Sequence, residues 1–214
     1  MSEPTLEQLL EAELAGGQFA MGEVFVRPLG DGGAELTHRG ADMRAIQEFA
    51  PENALEIAKF DDTGKYRPLR TAPGLRHGWK IIARDTAAII EVLDAIYPGR
   101  LAAWRAWKLR RLMTTPLRAT LNRQSGMYRI AAKISDQALD TLVGDFCRSD
   151  GGCLRTILWR RDETDTVAST MLPPAKFDPA HDQTGRDEPC IPLLCQEACS
   201  LLVSACREAV TNER

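Results

Sequence analysis

Six cysteines stand in the C-terminal third of this chain, and four of them fall into two short pairs, Cys147 with Cys153 and Cys195 with Cys199. Thiolates are soft, negatively charged ligands, and four together can enclose a [4Fe–4S] cluster or a structural zinc. Leu193 to Thr211 reads as a helix, so residues four apart share a face and Cys195 and Cys199 point at one site. Gly151-Gly152 lets the backbone curl before Cys153. A loop pair and a helix pair therefore surround a compact cofactor from two sides. Zinc sites favour a two-residue gap between cysteines. Neither pair has one, so spacing favours iron–sulfur. Backbone N–H groups of Gly151 and Gly152, with Arg148, Arg155 and Arg160, would offset the negative charge of a cluster.

Cys206 lies two helical turns beyond Cys199, about 10 Å along the axis at 1.5 Å per residue, and reads as a packing residue. Cys190, shortly before Pro192, is the rival for a ligand position. The alternative for the whole set is burial as small apolar side chains, which two close pairs in a reducing compartment disfavour. The three histidines, His38, His77 and His181, are remote from one another in sequence, which disfavours a Cys/His zinc finger.

The compartment follows from the N-terminus, which is acidic and amphipathic and has neither the basic start nor the apolar middle of a signal peptide. No apolar run approaches the roughly 20 residues of a membrane span. The expectation is a cytoplasmic protein without membrane association. At 214 residues, 44% hydrophobic and 27% charged, the chain has the composition of an ordinary globular protein.

These cysteines need elements to position them. Thr5 to Ala15 has helical spacing and stops at Gly16-Gly17. Val24 to Leu29 and Ala34 to His38 flank a glycine-rich turn, the signature of a hairpin. Ala41 to Ala50 and Pro51 to Phe60 read as two short helices or one broken at Pro51, and Tyr66 to Arg70 with Trp79 to Ala83 as a second hairpin. Asp85 caps a helix to Tyr97, which ends at Pro98-Gly99. The chain then turns helix-rich, with Leu101 to Met113, Pro116 to Asn122 and Asp136 to Phe146 behind the cap Ser135. Thr156 to Arg160 reads as a short strand and Asp162 to Pro192 as a long surface loop. The predicted class is α+β: an antiparallel-sheet domain over residues 1–98, then a mainly helical metal-binding domain over 99–214.

No catalytic constellation emerges. Asp61-Asp62 precedes a Thr-Gly turn and reads as solvated, His77 reads as a loop residue, and Ser125 and Ser135 have no histidine partner in recognisable spacing. No catalytic residue is assigned, and whether the chain is an enzyme stays open. The net charge of −3 conceals an asymmetry, because Ala95 to Ser135 holds no Asp or Glu. Nine cations lie there: Arg100, Arg105, Lys108, Arg110, Arg111, Arg118, Arg123, Arg129 and Lys133. Such a block attracts anions or is neutralised by the acidic remainder of the chain.

The segments Leu121-Asn122-Arg123-Gln124-Ser125-Gly126-Met127-Tyr128, Phe146-Cys147, Cys153-Leu154-Arg155, Leu158-Trp159 and Cys195-Gln196-Glu197-Ala198-Cys199 together resemble a known domain. It is the C-terminal 4Fe–4S domain of a bacterial family related to sirohydrochlorin cobaltochelatase. In that family the iron–sulfur domain follows a stabilising α/β domain and is often joined to a chelatase module. The resemblance covers about residues 98–214 well and the first 98 more loosely. It implies cluster ligands at Cys147, Cys153, Cys195 and Cys199 and a role in cobalamin or other tetrapyrrole metabolism. The length leaves no room for a chelatase module, and no histidine pair is visible to accept a metal ion. The implied protein is thus a redox or accessory companion. Its expected partners are an anionic tetrapyrrole held by arginines, a cobaltochelatase-type protein and a redox protein. The competing reading is a nucleic-acid-binding protein with a structural four-cysteine metal site, using the basic block with Trp104, Trp107 and Tyr128. Tryptophans among helical cations more often anchor the helix to a core, which disfavours nucleic acid.

Overall fold

The computed structural model describes residues 3–39, 46–59, 75–124, 129–148, 153, 156–167 and 189–212. It divides into two compact units, Met1–Arg111 with Pro179–Leu193, and Leu112–Asp178 with Leu194–Arg214.

The first unit opens with helix α1 (Leu6–Ala15). Thr5 Oγ1 accepts the Gln8 N–H at 3.2 Å while Gln8 Oε1 accepts the Thr5 N–H at 2.9 Å, a reciprocal cap that satisfies two donors at once. Strands β1 (Phe19–Met21), β2 (Val24–Pro28), β3 (Ala34–His38), β4 (Gln47–Phe49) and β5 (Trp79–Ala83) form one sheet in the order β1-β2-β3-β5-β4. All its pairings are antiparallel except β4 with β5. Alternation does the positioning: Ala34, Leu36 and His38 on β3 and Trp79, Ile81 and Ala83 on β5 are buried, with Leu36 paired to Ile81. Helix α2 (Ala54–Lys59) follows a single 3₁₀ turn. Helix α3 (Thr86–Ile96) is capped by Asp85, whose Oδ1 accepts the Ala88 N–H at 2.8 Å. Helices α1 and α3 lie against β2 and β5 and close the core.

The expected hairpin of β2 and β3 is present. A second one, β1 with β2, turns through Gly22-Glu23, and Gly22 has φ +58°, where a Cβ would stand 2.6 Å from Tyr97 Oη. The helix expected over Ala41 to Ala50 is corrected where it is described, because Gln47–Phe49 is a strand that buries only Phe49. Trp79–Ala83 is a strand whose neighbours are β3 and β4. Tyr66 to Arg70, its expected partner, and Asp61-Asp62 lie outside the described residues.

Helix α4 (Arg100–Lys108) departs from the division expected at residue 98. It packs on α1 and α3 in the first unit, with Leu101, Ala103 and Trp104 buried. Arg105 Nε donates to Pro4 O at 3.2 Å, and Lys108 Nζ pairs with Glu13 at 3.0 Å. The reason is hydrophobic: the first unit keeps the helix whose apolar face it buries. A returning segment completes this unit, for Ala20 N–H donates to Pro189 O at 2.9 Å and Ile191 N–H to Ala20 O at 2.8 Å.

The second unit contains α5 (Leu117–Gln124), a 3₁₀ turn at Ala131–Lys133, and α6 (Asp136–Val143). A π-type turn at Gly144–Arg148 follows, then β6 (Thr156–Ile157), β7 (Leu194–Cys195) and α7 (Ser200–Asn212). Ser135 Oγ caps α6 by accepting the Ala138 N–H at 3.2 Å. The core joins Leu117, Leu121, Leu139, Val143, Trp159 and Leu202. The protein is therefore α+β, an antiparallel-dominated sheet unit followed by a helical one.

Candidate metal centre

Three of the four paired cysteines border a single apolar cluster in the second unit: Cys195 within it, Cys147 and Cys199 packed against it. Cys147 lies in the π-type turn that prolongs α6. A widened turn of this kind re-aims the side chains it carries. Cys153 is half-buried and stands three residues before β6. Its neighbours Gly151, Gly152 and Arg155, expected to support it, lie outside the described residues.

Cys195 and Cys199 do not share a helix, which corrects the expected helix from Leu193. Leu194–Cys195 instead forms a parallel ladder with Thr156–Ile157, Ile157 opposite Cys195, and α7 begins only at Ser200. The apolar run Ile191 to Cys195 is buried throughout. A short strand buries it on both faces, whereas the first turn of a surface helix would expose part of it. Cys199 sits where the helix starts, and its carbonyl accepts the Val203 N–H at 3.1 Å. The pair thus spans a strand end, a turn of the three residues Gln196 to Ala198 and a helix start.

That turn is fastened at successive residues. Leu158 N–H donates to Cys195 O at 2.9 Å, and Thr115 N–H donates to Gln196 O at 2.9 Å. The Glu197 carboxylate accepts from Arg123 and from Thr120 Oγ1, and buried Ala198 fills the core side. Cys195, 7% exposed, has the indole N–H of Trp159 on its Sγ at 3.2 Å and points its own S–H at Glu197 O, 3.3 Å away. Each anchor removes freedom from the loop before any ligand arrives, which is how a metal site is pre-organised.

The donor chemistry fits an iron–sulfur cluster, since the side chains gathered at this apolar cluster include the soft sulfurs of Cys147, Cys195 and Cys199. Among the described residues no three His, Cys, Asp or Glu side chains converge on one ion position. A [4Fe–4S] cube takes one thiolate at each of four irons, so its ligands need not meet at a point.

Of the other two cysteines, Cys190 lies in the first unit, whereas Cys206 belongs to the same apolar cluster as Cys195. Cys190 is bridged to Ala20 at the edge of β1, in the first unit. Cys206 is fully buried on α7, and burial pushes its thiol up from 9.0 to about 11. A thiol whose folded pKa is raised stabilises the fold below the unfolded value, and that stability drains away as pH rises from about 9 through about 11. Cys206→Ala is expected to keep its iron and to flatten the loss of stability over that pH range in denaturant titrations. Cys206→Ser is expected to keep its iron too, but to cost about 1–3 kcal/mol through a buried hydroxyl.

Sequence reasoning missed one grouping. His38, buried on β3, and His77, exposed before β5, bring their rings to 4.3 Å, with Glu23 Oε1 3.8 Å from His38 Nε2. The expectation that this chain lacks a histidine pair is therefore corrected. Sheet pairing of β3 with β5 creates the proximity, which no local spacing encodes. His181 lies outside the described residues.

Among the described residues, four of the nine cations in the basic block pair with carboxylates of the chain. Lys108 pairs with Glu13, Arg111 with Glu3, Arg118 with Asp136 and Arg123 with Glu197. Arg118 also donates to Ile134 O at 2.8 Å, and its bond to Asp136 holds that carboxyl below the usual range. Arg105 and Arg100 donate to the carbonyls of Pro4 and Pro98. Trp104 is buried, Trp107 is half-buried, and Tyr128 lies outside the described residues. No helix among the described residues is long and apolar enough to cross a membrane.

Comparison with known proteins bears on this architecture. A solved structure, that of DR2241 from Deinococcus radiodurans, superposes with a TM-score of 0.69 at 29% identity over 96% of this chain. It is described as a multi-domain protein with structural similarity to chelatases and two additional novel domains, and this chain spans 41% of its length. No curated protein sequence matches. Two family models match the chain in succession: residues 7–108 match the DR2241 stabilising domain, and residues 109–208 match the 4Fe-4S iron-sulfur cluster binding domain.

Proposed function

We propose that this chain carries one [4Fe–4S] cluster on Cys147, Cys153, Cys195 and Cys199 and acts as a redox or accessory module to chelatase-type tetrapyrrole chemistry, in cobalamin synthesis or a neighbouring branch. The observation that carries the reading is the anchored Cys195–Cys199 turn, in a domain whose family binds such clusters. The chelatase link is supported by the described similarity of the Deinococcus relative to chelatases. When bound, the cluster supplies one-electron chemistry. The protein's own part is to present four thiolates, to keep the Cys195 sulfur away from bulk water, and to fasten the loop so that little ordering remains to be done on loading.

Arginines exposed at the end of the first unit, Arg110 and Arg111, are the candidates for holding carboxylates of a tetrapyrrole or an acidic face of a chelatase-type partner, which at Arg111 would compete with its ion pair to Glu3. Anaerobic purification is expected to give a brown protein with broad absorption near 400 nm and about four irons and four sulfides per chain. A colourless protein under those conditions would sink the cluster assignment. Titration with a sirohydrochlorin-type tetrapyrrole is expected to show binding that weakens as salt rises and weakens further in the Arg110→Glu/Arg111→Glu variant with the cluster retained. Absence of binding at low salt with the cluster intact removes the tetrapyrrole part and leaves the iron–sulfur part standing.

A further inference from the structure

Trp159 is one of the largest buried groups in the second unit, 2% exposed, and its indole N–H is spent on a sulfur. A buried indole N–H needs an acceptor, and a carbonyl would ordinarily serve it better than a weak sulfur acceptor. The register explains why sulfur is chosen. Ile157 lies opposite Cys195, and Leu158 N–H grips the Cys195 carbonyl at 2.9 Å. The next residue, Trp159, is thereby placed with Nε1 3.2 Å from Cys195 Sγ. Backbone and side chain of adjacent residues thus hold the two ends of the same cysteine.

We propose that Trp159 is a redox-tuning residue, which raises the reduction potential of the cluster through its N–H···S bond to Cys195. The inference rests on the proposed ligation by Cys195 and adds a residue that touches the ligand rather than the iron. On ligation the Cys195 thiol proton leaves to solvent, so the S–H contact to Glu197 O is lost while the indole N–H remains aimed at sulfur. Reduction adds one electron to the cluster, and part of that negative charge resides on its thiolate sulfurs. A fixed donor dipole stabilises the more negative, reduced form more than the oxidised one, and the potential rises. Burial strengthens the effect because water is not there to screen the dipole.

The test is Trp159→Phe in the full chain, loaded anaerobically in D2O. Phenylalanine keeps an aromatic ring in the core and removes the N–H. Expected are unchanged iron and sulfide content, a midpoint potential shifted to more negative values, and loss of one exchangeable-deuteron coupling from the ENDOR spectrum of the reduced cluster. An unchanged potential with the cluster intact overturns the proposal. Should Trp159→Phe fail to load, benzothienylalanine at position 159 replaces it, with the same fused-ring shape and no N–H. The potential of that variant decides in the same way. Failure of the underlying ligation is read separately: Cys195→Ser with an unaltered spectrum and potential would remove Cys195 from the ligand set.

Discussion

Cys195→Ser is expected to remove most of the iron and to loosen the second unit. Serine is nearly the size of cysteine, and the loop it occupies stays fastened by Leu158, Thr115 and Arg123. The change therefore reports on the ligand and not on the loop. Binding at a structural metal site is folding free energy, on the order of 10 kcal/mol where it has been measured, and one of four thiolates carries a large share of it. The same result is expected for serine at Cys147, Cys153 and Cys199. The measurements are iron and sulfide per chain, absorption near 400 nm and the urea midpoint of the cluster-loaded protein. Cys206→Ala serves as the control because its sulfur is in the core of α7. Iron lost from that control and kept in Cys147→Ser would reverse the ligand assignment.

Much of the architecture is legible in the sequence because local chemistry and tertiary packing agree. Asp85 and Ser135 are readable as helix caps, and each accepts the backbone N–H expected of it. The β2–β3 hairpin follows from alternation around Gly30 to Gly33. The failures have physical causes. Strands β1 and β4 are three residues long, too short for a period to show, although the Gly22-Glu23 pair between two apolar runs is a usable hairpin signal. Leu194–Cys195 reads as helix because an apolar run before a genuine helix has no period of its own, and only pairing with Thr156–Ile157 decides it.

The site divides in the same way. The cysteine types and their pairing in sequence are legible, since soft ligands in clusters are rare for other reasons. The support is not: Trp159 on Cys195 and Arg123 on Glu197 join residues far apart in the chain, and so do His38 and His77. The acid-free stretch points to an anion-binding surface, but the structure pairs Lys108, Arg111, Arg118 and Arg123 with acids from elsewhere. Charge asymmetry along a sequence says little about charge in space, because folding is what brings the remote acidic residues to the cations.

Trp104→Ala is expected to destabilise the first unit by about 3–5 kcal/mol, the cost of emptying a large aromatic site in a packed core. Trp104 is 1% exposed on α4, and the Lys108 ammonium lies 5.4 Å from its ring centroid. Truncation to alanine loses the transfer free energy of the ring and leaves a cavity that neighbouring helices fill only in part. A thermal midpoint lower by about 10 °C or more should follow. Trp107→Ala, at a half-buried position on the same helix, is expected to cost clearly less. The comparison also tests where the first unit ends. A fragment ending at residue 98 lacks Leu101 and Trp104 and leaves the faces of α1 and α3 that α4 covers open to water. It is expected to aggregate more than one ending at Arg111, which keeps the cover of α4 although it too lacks the returning segment Pro179–Leu193. Equal midpoints for Trp104→Ala and the unsubstituted protein, or a fragment of residues 1–98 that melts cooperatively at the temperature of the longer one, would place α4 outside the core of the first unit.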